Sequence, residues 1–282
     1  MESGPSRTAI SAAVARGRHR LEHQPPWVFD DPFALVLVGP VWQEFKKRST
    51  ARYREAVGRE IVGGIVARSR YAEDRLAEGG HTQYVILGAG LDSFGWRRPD
   101  LLGSVRVFEV DHPASQGWKR ERAAALGLPT SSAVVYVPID LQVHTLHEGL
   151  DAAGFVWSQP TFFSWLGVTM YLTTEAIEAT LRTVTQCVPG SEIVFTYGRT
   201  DQQLDDIGRE FGKIVSSLVA DIGEPLKTRL SRADAEALVE RCGLVVAHHP
   251  DRDDLVARYF SHRSDGLKPY TSEGVISARV PA

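Results

Sequence analysis

A chain of 282 residues with 43% hydrophobic and 24% charged positions is long enough to bury one large core, or a core with an appended lid. Its 32 basic and 35 acidic residues are mixed along the sequence for a net charge of −3, which leaves no basic stripe for phosphates and argues against a nucleic-acid partner. Two distant cysteines, Cys187 and Cys242, exclude a disulfide framework, and no apolar run reaches the ~18 residues of a membrane span, so a cytoplasmic protein without a membrane partner is expected.

Up to about residue 80 the pattern is helical. In "SRTAISAAVARGRHRLE", "FALVLVGPVWQEFKKR" and "YREAVGREIVGGIVARSRYAEDRLAEG", apolar residues recur at three to four residue spacing with charges between them. The prolines of "HQPPWVFDDPF" require a turn between the first two helices. Residues 1–80 are therefore expected to form an N-terminal helical cap.

Beyond residue 80, short apolar runs alternate with helix-sized segments. Strands are predicted at 84–88, 105–111, 133–140, 160–167, 191–198, 244–249 and 274–280. Runs this uniformly apolar belong to strands buried on both faces. The expected architecture is a doubly wound α/β domain over 81–282, with a seven-stranded, mostly parallel sheet. Residues 200–228 exceed what one crossover needs and are a candidate helical lid.

The first strand runs into the turn Gly88-Ala89-Gly90-Leu91-Asp92-Ser93, at the carboxyl end where open α/β sheets bind ligands. Two glycines let the backbone approach a ligand closely. Glu109 follows the second glycine by 19 residues (109 − 90), the spacing of an acid that binds a ribose diol. Ser93 replaces the third glycine of a dinucleotide turn, and "FGWRRP" does not open a clean helix for a pyrophosphate. A ligand with ribose and no phosphate fits better, S-adenosyl-L-methionine being the common one; a nicotinamide oxidoreductase is the alternative.

Several ordered blocks go further. "ILGAGLDS", the "VFEVDHPASQGWKRER" of Val107–Arg122 and "FSWLGVTMYLTTEAIEATL" resemble the leucine carboxyl methyltransferase family, in its bacterial S-adenosylmethionine-dependent branch, from about residue 5 onward. The resemblance implies a Rossmann-like class I methyltransferase fold and a set of cofactor contacts. Arg68 of "VARSRY", with Arg70 close by, would meet the methionine carboxylate. Gly88, Ala89, Gly90 and Asp92 would flank the methionine part. The segment Glu109-Val110-Asp111 would meet the ribose, with either carboxylate a candidate, and Asp140-Leu141 would lie beside the adenine, although Asp140 could equally cap a helix beginning at 141 or 142. Many relatives carry a glutamate where this chain has Leu166. Trp165 and Tyr171 are aromatic candidates for the wall near the methyl group, and Tyr197, at the end of the fifth strand, is a further one.

An activated methyl needs chiefly an aligned nucleophile, and an ionised carboxylate needs no general base. None of the nine histidines forms an obvious pair of base and orienter, and His144 with His147 lack a third ligand, so no metal is expected. The expected activity is O-methylation of a small-molecule carboxylic acid, as in specialised metabolism, with Arg16, Arg18 and His19 as candidate substrate contacts. Methylation of a phenol, an alcohol or a protein carboxylate, and cofactor binding without turnover, are the alternatives; a homodimer is compatible with all of them.

Overall fold

The computed structural model describes residues 6–42, 59–140, 143–221 and 225–282. All seven expected strands form, each ending within two residues of its predicted limits: β1 (Gln83–Leu87), β2 (Arg106–Asp111), β3 (Val134–Pro138), β4 (Thr161–Trp165), β5 (Glu192–Gly198), β6 (Val245–His248) and β7 (Glu273–Arg279). They make one sheet in the order β3-β2-β1-β4-β5-β7-β6. β1 to β5 run parallel to one another, whereas β7 runs antiparallel between β5 and β6. The first five strands therefore end at one edge, and the reversed β7 begins there, Glu273 standing beside Gly198.

Successive side chains of a strand face opposite layers, and β1 illustrates the split. Val85 and Leu87 join a core built with Leu150, Ile177, Leu181 and Leu238. Tyr84 and Ile86 join the opposite core with Tyr71, Leu76 and Phe94. The helices are α1 (Arg7–Glu22), α2 (Ala34–Val38), α3 (Arg59–Glu78), α4 (Phe94–Arg97), α5 (Pro99–Leu102), α6 (Pro113–Ala125), α7 (Leu146–Ala152), α8 (Thr174–Val184), α9 (Asp206–Asp221), α10 (Arg232–Arg241) and α11 (Arg252–Tyr259).

The N-terminal helices do not stand apart from the sheet. α3 lays Tyr71, Ala72 and Leu76 directly on it, and its direction is fixed by two contacts. Arg75 forks onto Glu192 at the start of β5 (2.8 and 2.9 Å), while Arg68 reaches Glu273 at the opposite edge. The second expected helix is broken after Val38, because Gly39 takes a left-handed φ of 56° and Pro40 follows. Residues 43–58, on which parts of the second and third expected helices fall, lie outside the described residues.

Candidate active site

The glycine turn leaves β1 as expected. Gly88 and Gly90 have φ of 68° and 50°, values that L side chains rarely adopt, and a Cβ on Gly88 would stand 2.6 Å from Val168. The amides of Gly88 and Ala89 both bond to the Val110 carbonyl (2.9 and 3.1 Å), tying the turn to the end of β2. Asp92 accepts from the Phe94 amide at 2.7 Å and starts α4. α1 lies over the turn: a Cβ on Gly90 would touch Ala9 at 3.0 Å, and Arg16 donates to the Leu91 carbonyl at 2.7 Å.

The two acids of "EVD" have different surroundings. Glu109 is 1% exposed and its carboxylate is closed by Lys119 Nζ at 2.5 Å. Burial pushes its pKa up, and the ammonium opposes this. Asp111, half-buried at the sheet edge, accepts from the amides of Gly90 and of His112, the latter at 2.6 Å. Burial raises its pKa too, against those two hydrogen bonds. Asp111 thus links the glycine turn to β2, whereas Glu109 is turned into the layer beneath α6. Asp140 sits near this edge with its Oδ2 3.8 Å from His112 Nε2. It does not cap the following helix, which starts at Leu146 behind the capping box of Thr145 and Glu148. Leu141 lies outside the described residues.

Arg68 approaches from α3. Its Nη1 donates to Glu273 Oε1 at 2.6 Å, and a Cβ on Gly167 would overlap its Nη2, to which no described residue hydrogen-bonds. Gly167 precedes Val168, the residue packed on Gly88, so Arg68 lies two contacts from the glycine turn. The amide of Gly167 donates to Thr196 Oγ1 at 2.8 Å, joining the end of β4 to β5. Tyr171, in a 3₁₀ turn over Thr169–Tyr171, adds its phenol to the groups around Arg68.

A model of the leucine carboxyl methyltransferase family matches residues 9–185, more than half of the chain. The chain belongs to this family. A relative from Bacillus subtilis (strain 168), assigned by name to the S-adenosyl-L-methionine-dependent methyltransferases as YktD, is 32% identical over 97% of each chain. A second so assigned, from Mycobacterium sp. (strain KMS), is 32% identical over 89% of this chain and 93% of its own. Two solved structures share the fold at a TM-score of 0.62 and 15% identity. One is a DUF574 family protein from Streptomyces avermitilis, with 98% of each chain covered, and the other is assigned by name as a methyltransferase from Thermobifida fusca, with 100% and 97% covered. The protein is an S-adenosylmethionine-dependent methyltransferase with the class I fold.

In this methyltransferase several expected site residues are spent elsewhere. Trp165 and Tyr197 are 2% and 1% exposed and belong to the core on the far face from α3, so neither forms a wall of the ligand edge. Tyr197 instead bonds through its hydroxyl to His249 Nε2 at 2.9 Å, and His249 Nδ1 bonds to Glu236 at 2.7 Å. Arg16 is buried against Asp31 at 2.8 Å, Arg18 forks onto Glu22 on the solvent side, and His19 is fully buried with Nε2 accepting the Val28 amide. Arg16 and His19 thus take structural roles because α1 turns them inward, while Arg18 is held on the solvent side by Glu22 of its own helix.

The edge of β5 and β7 forms a narrow cleft whose lining includes Arg68, Thr196, Arg199, Arg252, Tyr270 and Glu273. Arg199 follows β5, with its amide bonded to the Ser272 carbonyl at 2.9 Å and a buried Nε that has no described partner. Segment 200–228, the expected lid, contains α9 and lies against the Tyr171 turn through Lys227 N to Met170 O (2.8 Å) and Thr228 Oγ1 to Leu172 O (2.5 Å). Arg199, Tyr270 and Glu273 carry no sequence signal of their own; only the reversal of β7 brings the last two beside Arg68.

Proposed function

We propose that this methyltransferase transfers the methyl group to the carboxylate of a small-molecule acid, as in specialised metabolism, forming a methyl ester. The cofactor supplies a methyl activated as a sulfonium. Exposed Gly88 and the turn to Asp92 seat its methionyl end, Arg68 Nη2 receives its carboxylate, Asp111 accepts from the ribose hydroxyls, and Asp140 borders the adenine. Asp111 can do this by exchanging its contact with the Gly90 amide for the diol. Glu109, held by Lys119, keeps the strand end in place and does not touch the ligand.

One observation carries the acceptor class. The cleft beside Arg68 is lined by three arginines, Arg68, Arg199 and Arg252, against two acids, Asp251 and the Arg68-bound Glu273, with no histidine among its described lining residues. Guanidinium groups pair carboxylates, and an ionised carboxylate attacks without giving up a proton. The chain's task is then to bind and orient the acid at Arg199 and to keep water from the transfer, with Tyr171 and segment 200–228 beside the cleft.

The test uses cofactor labelled in its methyl group with a panel of carboxylic acids and phenols. S-adenosylhomocysteine release together with label that dilute alkali liberates as methanol supports a carboxyl ester. Label that resists alkali would assign a phenol or alcohol acceptor instead.

A further inference from the structure

We propose that Glu273, backed by Tyr270, is a positioning residue for Arg68, presenting its guanidinium to the carboxylate end of S-adenosylmethionine; this rests on the seat described above. Arg68 is a long, flexible side chain, and its lost rotamer freedom counts against any ligand that has to order it. Here the ordering is done beforehand. Arg68 Nη1 and Glu273 Oε1 are 2.6 Å apart, with side chains 12% and 8% exposed. The second oxygen, Oε2, accepts from the Tyr270 hydroxyl at 2.5 Å. Glu273 thus engages one nitrogen of the fork and leaves Nη2 facing Gly167, on the side of Val168 and Gly88.

The helix that carries Arg68 is built for this arrangement. Gly63 and Gly64 lie in its interior, where each glycine costs about 1 kcal/mol of helix propensity relative to alanine. A Cβ on Gly63 would overlap the Lys268 carbonyl, and one on Gly64 would overlap the Tyr270 ring. Gly64 and Arg68 are four residues apart and share a helix face. Tyr270 therefore lies in the space that Gly64 vacates, one turn from Arg68, and from there its hydroxyl reaches Glu273. The glycine pair has a packing purpose that offsets its helical cost. Tyr270 and Glu273 both fall outside residues 9–185, the part that matches the family model.

Titration calorimetry on the full chain tests this with two nucleosides: S-adenosylhomocysteine, and 5′-methylthioadenosine, which lacks the amino-acid end. Glu273→Ala is expected to weaken S-adenosylhomocysteine about tenfold, the scale of one charge-assisted hydrogen bond, with 5′-methylthioadenosine unchanged within about twofold. Glu273→Gln, which keeps an acceptor for Arg68, is expected to lose less. In an Arg68→Ala background, Glu273→Ala is expected to have no further effect. Tyr270→Phe removes only a hydroxyl and should give a smaller loss confined to S-adenosylhomocysteine, so it serves if Glu273→Ala does not fold. Equal weakening of both nucleosides would make the contact a general structural brace and overturn the proposal. Unchanged or tighter S-adenosylhomocysteine binding by Glu273→Ala also overturns it, the tighter result identifying Glu273 as a competitor for Arg68. A wild-type protein that binds neither nucleoside overturns the seat itself, and one that binds both equally removes the role of Arg68.

Discussion

Glu109 and Lys119 close on each other at 2.5 Å with side chains 2% and 1% exposed, two residues away from the acid that faces the glycine turn. The pair seals one carboxylate of "EVD" and leaves the other, Asp111, against the Gly90 amide. Neutralising one partner leaves a buried charge without its counterion, a loss of roughly 3–5 kcal/mol. Glu109→Gln is therefore expected to lower the unfolding free energy by about that amount in urea. Asp111→Asn is expected to cost about tenfold or more in S-adenosylhomocysteine affinity with little change in the urea midpoint, since a diol held by an ionised acid loses a charge-assisted hydrogen bond. The reverse pattern in the two variants would move the ribose contact back to Glu109.

Gly88→Ala tests the turn. The substitution combines a left-handed φ of 68° with a contact of 2.6 Å to Val168, and such backbone strain is worth about 1–3 kcal/mol. Cofactor affinity should fall with stability, and Val168→Ala in the same chain should recover the steric part but not the strained backbone. Calorimetry and thermal melts on the single and double variants check it.

Arg199→Ala addresses the acceptor. Arg199 lines the cleft away from the glycine turn, so the KM of an accepted acid should rise by about tenfold or more while S-adenosylhomocysteine affinity stays put. A parallel fall in cofactor affinity would place Arg199 at the cofactor instead.

The buried His19 predicts a pH effect on stability. Burial and the neighbouring His23 push its pKa from 6.5 down to about 4. Between these values the unfolded chain binds a proton that the folded chain refuses. The folded state is therefore at its best above pH 6.5 and loses up to about 3 kcal/mol as the pH falls to 4, at about 1.4 kcal/mol per pH unit. His19→Gln keeps an acceptor for the Val28 amide and removes the titration, so its stability should fall less steeply over that range. Identical slopes for both proteins would show that His19 is not the group responsible.

Glu192 gives the opposite assignment at lower pH. Burial would raise its pKa, but Arg75, Ser277 and Arg279 donate to its two oxygens and together hold it below 4.5. A depressed acid stabilises the fold above its unfolded pKa, and that contribution disappears as the pH falls through the folded value. Glu192→Gln should destabilise at neutral pH by about 3 kcal/mol, because buried Arg75 loses its buried counterion and keeps only the half-exposed Glu78, and should flatten the acid-unfolding limb below pH 4.5. Equilibrium unfolding at several pH values reads both effects.

The family was legible in residues close together in sequence. "ILGAGLDS" and the block from Val107 to Arg122 lie within single strand-and-turn units, where local sequence sets the conformation. Arg68 was legible only through resemblance, since on its own helix it looks like one charge among Arg70, Glu73, Asp74 and Arg75. The expectations for Trp165, Tyr197, Arg16 and His19 gave way for a common reason. A strand end or an amphipathic helix does not state which face another layer will cover.

What the sequence determined by itself is the layered α/β fold, its seven strands and the glycine turn at the carboxyl end of β1, because periodicity and turn chemistry act over a few residues. Only the tertiary structure decided which carboxylate remains at that edge and which is sealed by Lys119. It alone also decided that Glu273, 205 residues after Arg68, holds the guanidinium. These depend on where helices cross the sheet and on the reversed direction of β7, a matter of packing across long chain separations that no local pattern encodes.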